Sequence, residues 1–198
     1  MKFSETAVAG VIVIEPDVHR DARGFFLETF HSGKYGTAGI PAQFVQDNHS
    51  ASVANTLRGL HMQIQRPQGK LVRAVEGEIW DVAVDVRRGS PSYGRWFGEL
   101  LSSTNFKQLY VPPGCAHGFC VLSPTAQVEY KCTELYDPAD ELGIAWDDPV
   151  LAITWPVREP LLSERDKRHR RFQELEGRFP FYEPNRRKSE SLDLNPTR

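Results

Sequence analysis

The chain has 198 residues, 40% of them hydrophobic and 25% charged, which is ordinary globular usage and excludes wholesale disorder. The 24 lysines and arginines against 26 acidic residues give a net charge of −2. The basic excess that lets nucleic-acid binders neutralise phosphates is therefore missing. No apolar stretch approaches the length that spans a bilayer, and no apolar segment of secretory type follows Met1. Cys115, Cys120 and Cys132 have no metal-ligand spacing and cannot all pair. The expectation is a protein of the reducing cytoplasm with no membrane or nucleic-acid partner.

Fourteen prolines and fifteen glycines are spread along the chain between short runs of Val, Ile, Phe, Tyr and Trp. Such punctuation predicts many short strands joined by turns, a sandwich or barrel. In residues 77–86, Trp80, Val82, Val84 and Val86 alternate with Asp81, Ala83 and Asp85, predicting a strand with one buried face. Ala126, Val128, Tyr130 and Cys132 repeat the alternation. Helical signals begin at Ser163, which with Asp166 fits an N-cap and an acidic first turn and predicts a polar helix toward Leu175. The basic run from Arg165 to Arg171 is bracketed or interleaved by Glu164, Asp166 and Glu174, so it reads as a solvated face. The fold expectation is all-β: one barrel domain over residues 1–184 with a short helical C-terminal portion. Residues 185–198 read as a polar, flexible tail.

Reactive side chains gather in three segments: residues 44–63 (with Gln46, Asp47, Asn48, Arg58 and His61), residues 68–72 (with Lys70) and residues 112–119 (with His117). All lie in strand-rich sequence, where alternate residues point into a barrel. The histidines lack the clustered spacing of a first-row metal site, there is no nucleophile elbow, and no glycine-rich loop precedes a helix. A His, a Lys and a Tyr in one barrel suggest proton transfer by a base, an oxyanion stabiliser and an acid. Arg58 and His61 have opposite strand parity. Both reach one cavity only if the backbone bulges near Gly59.

Taken together the motifs resemble the dTDP-4-dehydrorhamnose 3,5-epimerase family, metal-free relatives of the cupin barrels. The segments carrying the resemblance are Arg23-Gly24-Phe25-Phe26-Leu27-Glu28, Gln46-Asp47-Asn48, Leu57-Arg58-Gly59-Leu60-His61 and Gln68-Gly69-Lys70-Leu71-Val72, followed by His117-Gly118-Phe119, Tyr130-Lys131 and Trp146-Asp147-Asp148-Pro149. The resemblance implies a cupin-type jelly roll without metal or cofactor, acting as a homodimer on a dTDP-4-keto-6-deoxy sugar. By it, His61 is the base, Asp166 its carboxylate partner, Lys70 the enolate stabiliser and Tyr130 the acid. It also implies substrate binding by Arg23, Glu28, Gln46, Asp47, Asn48, Arg58, His117, Glu141 and Arg165. Plainer readings stand beside these: Arg23 and Glu28 as surface ion-pair members, Glu141 as a solvated loop acid, Asp166 as a first-turn helix acid. A C3-only epimerase and a non-catalytic sugar-nucleotide binder are the alternatives. Cys115 and Cys120 read as buried small hydrophobes.

Overall fold

A computed structural model describes residues 1–41 and 43–183, so the expected tail at 185–198 lies outside the described residues. Two antiparallel sheets face each other as a jelly roll. The first runs in the order β1 (Lys2–Glu5), β2 (Ile12–Glu15), β10 (Gln108–Val111), β7 (Lys70–Glu76), β12 (Thr125–Cys132) and β5 (Gln46–Val53). The second runs β13 (Glu141–Gly143), β6 (Leu57–Gln63), β11 (Cys115–Val121), β8 (Glu78–Asp85) and β9 (Trp96–Ser102). A separate hairpin joins β3 (Val18–Asp21) to β4 (Gly24–Leu27). The short helix α1 spans Ser32–Thr37.

Between the sheets lies a core in which Val13, Val72, Leu109, Ala126 and Val128 of the first sheet meet Ile79, Ala83, Leu101, Phe119 and Val121 of the second. The alternation in β12 is the expected one, with Ala126, Val128 and Tyr130 turned inward. β8 differs from expectation because both of its faces are buried. Val82, Val84 and Val86 face away from the barrel and pack under Leu151, Phe172, Leu175 and Phe179 of the C-terminal segment. Asp81 and Asp85 are fully buried as well. Period-two alternation identifies the strand but cannot tell which face is covered by a later stretch of chain.

The expected C-terminal helix is broken. A 3₁₀ turn at Asp166–Arg168 is followed by the single helical turn α2 (Phe172–Leu175) and a second 3₁₀ turn at Glu176–Arg178. His169 is extended, and the Arg170 carbonyl accepts a hydrogen bond from the Ala145 amide at 2.9 Å. A tertiary backbone bond thus displaces the helical one. The Ser163 hydroxyl still accepts from the Asp166 amide, at 3.1 Å, as the capping signal predicts. Arg165, Lys167, Arg168, Arg170 and Arg171 are all exposed, so the basic run is the solvated face expected. The three cysteines are free and buried, and burial pushes the thiols of Cys115 and Cys120 up to about 12. They are inert packing groups.

Candidate active site

A cleft of about 1090 Å³ opens between the sheets. Strand register decides what lines it. On the first sheet, Lys70 of β7 pairs with Cys132 of β12, which pairs with Gln46 of β5. In the next row inward Val72 pairs with Tyr130, and Tyr130 with Asn48. These rows face the second sheet, where His61 of β6 stands opposite His117 of β11.

Arg58 and His61 both line the cleft, which opposite parity forbids on a flat ladder. The backbone solves this by a bulge. His117 pairs with His61 while Phe119 pairs with Arg58, so two residues of β6, Gly59 and Leu60, oppose one of β11, Gly118. Gly59 occupies the bulge at φ +115°. A Cβ there would stand 2.7 Å from the Gly118 Cα and from the His117 carbonyl oxygen. Only glycine fits both the conformation and the close approach.

His61 Nε2 lies 2.6 Å from Asp166 Oδ1. Burial opposes ionisation of Asp166, but the hydrogen bond from His61 and the imidazole's charge hold its carboxyl below the ordinary carboxylate range. An ionised Asp166 accepts the Nε2 proton, which assigns the tautomer and leaves the lone pair on Nδ1. Nδ1 faces Glu141, with Oε1 3.7 Å away. The Glu141 carboxylate accepts from the Tyr136 hydroxyl at 2.8 Å and is paired with Arg165. His117 Nε2 meets Asp81 Oδ1 at 2.7 Å in a buried pair.

Lys70 and Tyr130 line the same cleft. Burial pushes the Lys70 ammonium below the ordinary lysine value, against the opposing pull of Cys132, Glu141 and Asp81. Burial, reinforced by Cys132, pushes the Tyr130 hydroxyl up, so it stays protonated at neutral pH. The set comprises an oriented imidazole, a cation of weakened proton affinity and a neutral phenol. It can remove a proton, stabilise an oxyanion and return a proton.

Gln46, Asn48, Arg58, His117, Glu141 and Arg165 also line the cleft. Gln46 Nε2 donates to Asn48 Oδ1 at 3.0 Å, and Arg58 Nε donates to Ser52 Oγ at 3.0 Å. Three predicted residues lie outside this chain's cleft. Asp47, one step along β5 from Gln46, points to the outer face and pairs with Lys131 at 3.0 Å. Arg23 pairs with Asp21 at 2.6 Å on the exposed β3–β4 hairpin, and Glu28 beyond it pairs with Lys34. Sequence reasoning missed Tyr136, Asp81 and His169. Tyr136 lies in a loop with no periodicity, and Asp81 sits on what looked like the solvent face of β8. His169 belongs to the basic run and carried no signal of its own.

His61, Asp166 and His169 bring three metal-capable donor atoms within 4.8 Å of one another. No helix among the described residues is long and apolar enough to cross a membrane.

Residues 5–174 match the profile of a family described as dTDP-4-dehydrorhamnose 3,5-epimerase. A protein of that name from Pseudomonas aeruginosa is 50% identical over 178 residues, covering 89% of this chain and 98% of the relative. A Streptomyces niveus protein named dTDP-4-dehydrorhamnose 3-epimerase is 40% identical, covering 84% of this chain and 82% of the relative. Among solved structures, a dTDP-6-deoxy-D-glucose-3,5-epimerase of Legionella pneumophila in complex with dTDP-4-keto-L-rhamnose superposes with a TM-score of 0.89. It is 44% identical and covers 92% of this chain and 99% of its own. With its jelly roll, its cleft and a profile match over most of its length, the chain belongs to the dTDP-4-dehydrorhamnose 3,5-epimerase family.

Proposed function

We propose that the protein converts dTDP-4-keto-6-deoxy-D-glucose to dTDP-4-keto-L-rhamnose by inverting C3 and C5. The observation that carries this is the His61–Asp166 pair at 2.6 Å, set in one cleft with Lys70 and Tyr130. Both carbons lie next to the C4 ketone, so loss of either proton gives an enolate. His61 Nδ1 takes the proton, the electron pair of the broken C–H bond moves into the enolate, and the Lys70 ammonium stabilises the oxygen at C4. The Tyr130 hydroxyl then protonates the carbon from the opposite face. His61 gives its proton to solvent and Tyr130 regains one, so the cycle is a net isomerisation that repeats at the second carbon. Asp166 holds the imidazole in the required tautomer and stabilises the imidazolium.

The same reading assigns Gln46, Asn48, Arg58, His117, Glu141 and Arg165 to substrate binding. Arg23 and Glu28 fit it as contributions from a second copy. Phe25 and Phe26 on the neighbouring hairpin are 55% and 67% exposed, a surface that supports a homodimer whose hairpins cover each other's clefts. The reading takes one epimerase domain over residues 1–184, supported by the core the two sheets share, and places it in the cytoplasm without a cofactor.

The test is incubation with dTDP-4-keto-6-deoxy-D-glucose in heavy water, with the C3 and C5 protons followed by NMR. Exchange at both positions is expected. Exchange at C3 alone would make the protein a 3-epimerase, the activity named for the Streptomyces niveus relative. Bound dTDP with no exchange at either carbon would make it a sugar-nucleotide binder.

A further inference from the structure

His169 takes no part in the proposed reaction, yet the fold makes room for it beside the catalytic pair. Gly143 is the β13 residue paired with His61, and a Cβ on it would lie 2.1 Å from His169 Nε2. The imidazole therefore occupies the space a larger residue would fill. Its ring meets that of His61 edge-on, with centroids 5.2 Å apart. The side chain is only 9% exposed and is poorly satisfied. Nδ1 is buried without a hydrogen-bond partner among the described residues. Nε2 ends 3.6 Å from Asp166 Oδ1, beyond hydrogen-bonding distance. A nine-tenths buried imidazole that aims an unused nitrogen at a carboxylate, next to a second imidazole on that carboxylate, has the form of a ligand set.

We propose that His61 Nε2, Asp166 Oδ1 and His169 Nε2 form an inhibitory site for a first-row divalent metal of the zinc type. Two imidazoles and one carboxylate suit such ions. Donors around a tetrahedral zinc ion at about 2.0–2.2 Å stand roughly 3.3–3.6 Å apart. The Asp166–His169 spacing of 3.6 Å already matches, the His61–Asp166 pair would widen by less than about 1 Å, and the two imidazole nitrogens, within 4.8 Å of each other, would close on the ion. Arg165, next in sequence to Asp166, is engaged by Glu141. Glu141 Oε1, 3.7 Å from His61 Nδ1, stands where a metal-bound imidazole ordinarily sends its other N–H. His61 is 19% exposed to the cleft, which gives the ion a route in and leaves a fourth position for water.

Inhibition follows from the tautomer. Metal on Nε2 moves the His61 proton to Nδ1, and Nδ1 then has no lone pair with which to take a substrate proton. This consequence rests on the proposed epimerase reaction; the binding itself does not.

The experiment uses the chelator-stripped full-length protein. Zinc binding is followed by calorimetry and cobalt binding by visible absorption, alongside epimerase turnover. His169→Phe keeps a ring in the Gly143 space and removes the ligand. The expected result is stoichiometric zinc binding, tetrahedral cobalt bands and zinc inhibition reversed by chelator. In His169→Phe, zinc affinity and zinc sensitivity should both drop at least tenfold, with turnover in metal-free buffer retained. Zinc bound equally by wild type and His169→Phe would mean an adventitious ion only and overturn the site. Should the variant fail to fold, NMR of the wild-type imidazoles decides. Zinc-induced shifts at both His61 and His169 support the site, and shifts confined to other histidines overturn it. Zinc binding at the two rings in a protein without epimerase turnover would sustain the site and refute the reaction instead.

Discussion

His61 and His117 stand directly opposite each other on adjacent strands, and each gives its Nε2 to a different buried aspartate, Asp166 at 2.6 Å and Asp81 at 2.7 Å. The two dyads differ in setting. His61 is part-exposed to the cleft and has Lys70 and Tyr130 as cleft companions. His117 is buried, and Asp81 Oδ2 has no hydrogen-bond partner among the described residues. Asp166→Asn should therefore lower kcat by about 10²–10⁴-fold, the usual value of general base catalysis, while dTDP affinity stays near wild type. Asp81→Asn should act mainly on KM, because it loosens a binding histidine. Turnover with each variant checks this; a larger kcat loss for Asp81→Asn would exchange the two roles.

Lys70 and Tyr130 should also separate by pH. Burial lowers the lysine and raises the tyrosine, so with rising pH Lys70 loses its proton first and the enolate loses its stabilising charge. Activity is expected to fall on an alkaline limb below the ordinary lysine range. Lys70→Arg, which keeps its charge at all working pH, should remove that limb at reduced turnover. Tyr130→Phe should leave its position unchanged. A limb that vanished with Tyr130→Phe would assign it to the phenol.

Tyr130→Phe offers a second, independent reading. Without the phenol, carbon reprotonation from the opposite face stops, while His61 still removes protons and exchanges them with solvent. Deuterium incorporation at C3 without inversion is the expected outcome in heavy water. Loss of incorporation together with inversion would show that Tyr130 is needed for proton abstraction.

Much of this site was legible because a strand writes its geometry in parity. Tyr130 shares a parity with Ala126 and Val128, so its inward direction can be read from the residues, whereas Lys70 is followed by the apolar pair Leu71 and Val72 and was placed by family resemblance. Even the failure of parity between Arg58 and His61 was informative, since a glycine sits where the bulge must be. What parity cannot supply is the covering of an outer face. Asp81 and Asp85 looked solvated until residues 151–179 were seen to cover the other side of β8, turning the acids into barrel-facing groups. The broken helix after Ser163 belongs to the same class: the bond from Ala145 to Arg170 is a tertiary event without a local signal. Asp166 was placed by family resemblance, because 105 residues separate it from His61.

The Gly59 bulge makes a stability prediction. Alanine at φ +115° costs about 1–2 kcal/mol in backbone strain. Its Cβ would also sit 2.7 Å from the Gly118 backbone, an overpacking of about 1–3 kcal/mol. Gly59→Ala should lower the urea midpoint by a corresponding amount and reduce activity beyond the loss of folded protein, since Arg58 and His61 are displaced together. An unchanged midpoint would mean the strands can part at no cost.

Asp85 makes the last prediction, far from the chemistry. Its carboxylate accepts from Arg87 Nε and Nη2, both at 2.8 Å, and from Ser92 Oγ at 2.6 Å, with Ser90 as a further donor. Burial opposes its charge, but the hydrogen bonds from Arg87, Ser90 and Ser92 prevail and hold the carboxyl below the ordinary range. A carboxyl whose proton affinity is lower folded than unfolded contributes stability above its unfolded pKa, and that stability is lost as pH falls through the folded value. Asp85→Asn leaves the Arg87 guanidinium buried without its counter-charge, which should cost about 3–5 kcal/mol at neutral pH. The penalty should shrink in acid, where the wild-type carboxylate also takes up a proton. Urea unfolding of both proteins from neutral pH down through the carboxylate range measures it; a difference that stayed constant with pH would show that Asp85 acts through packing and not through charge.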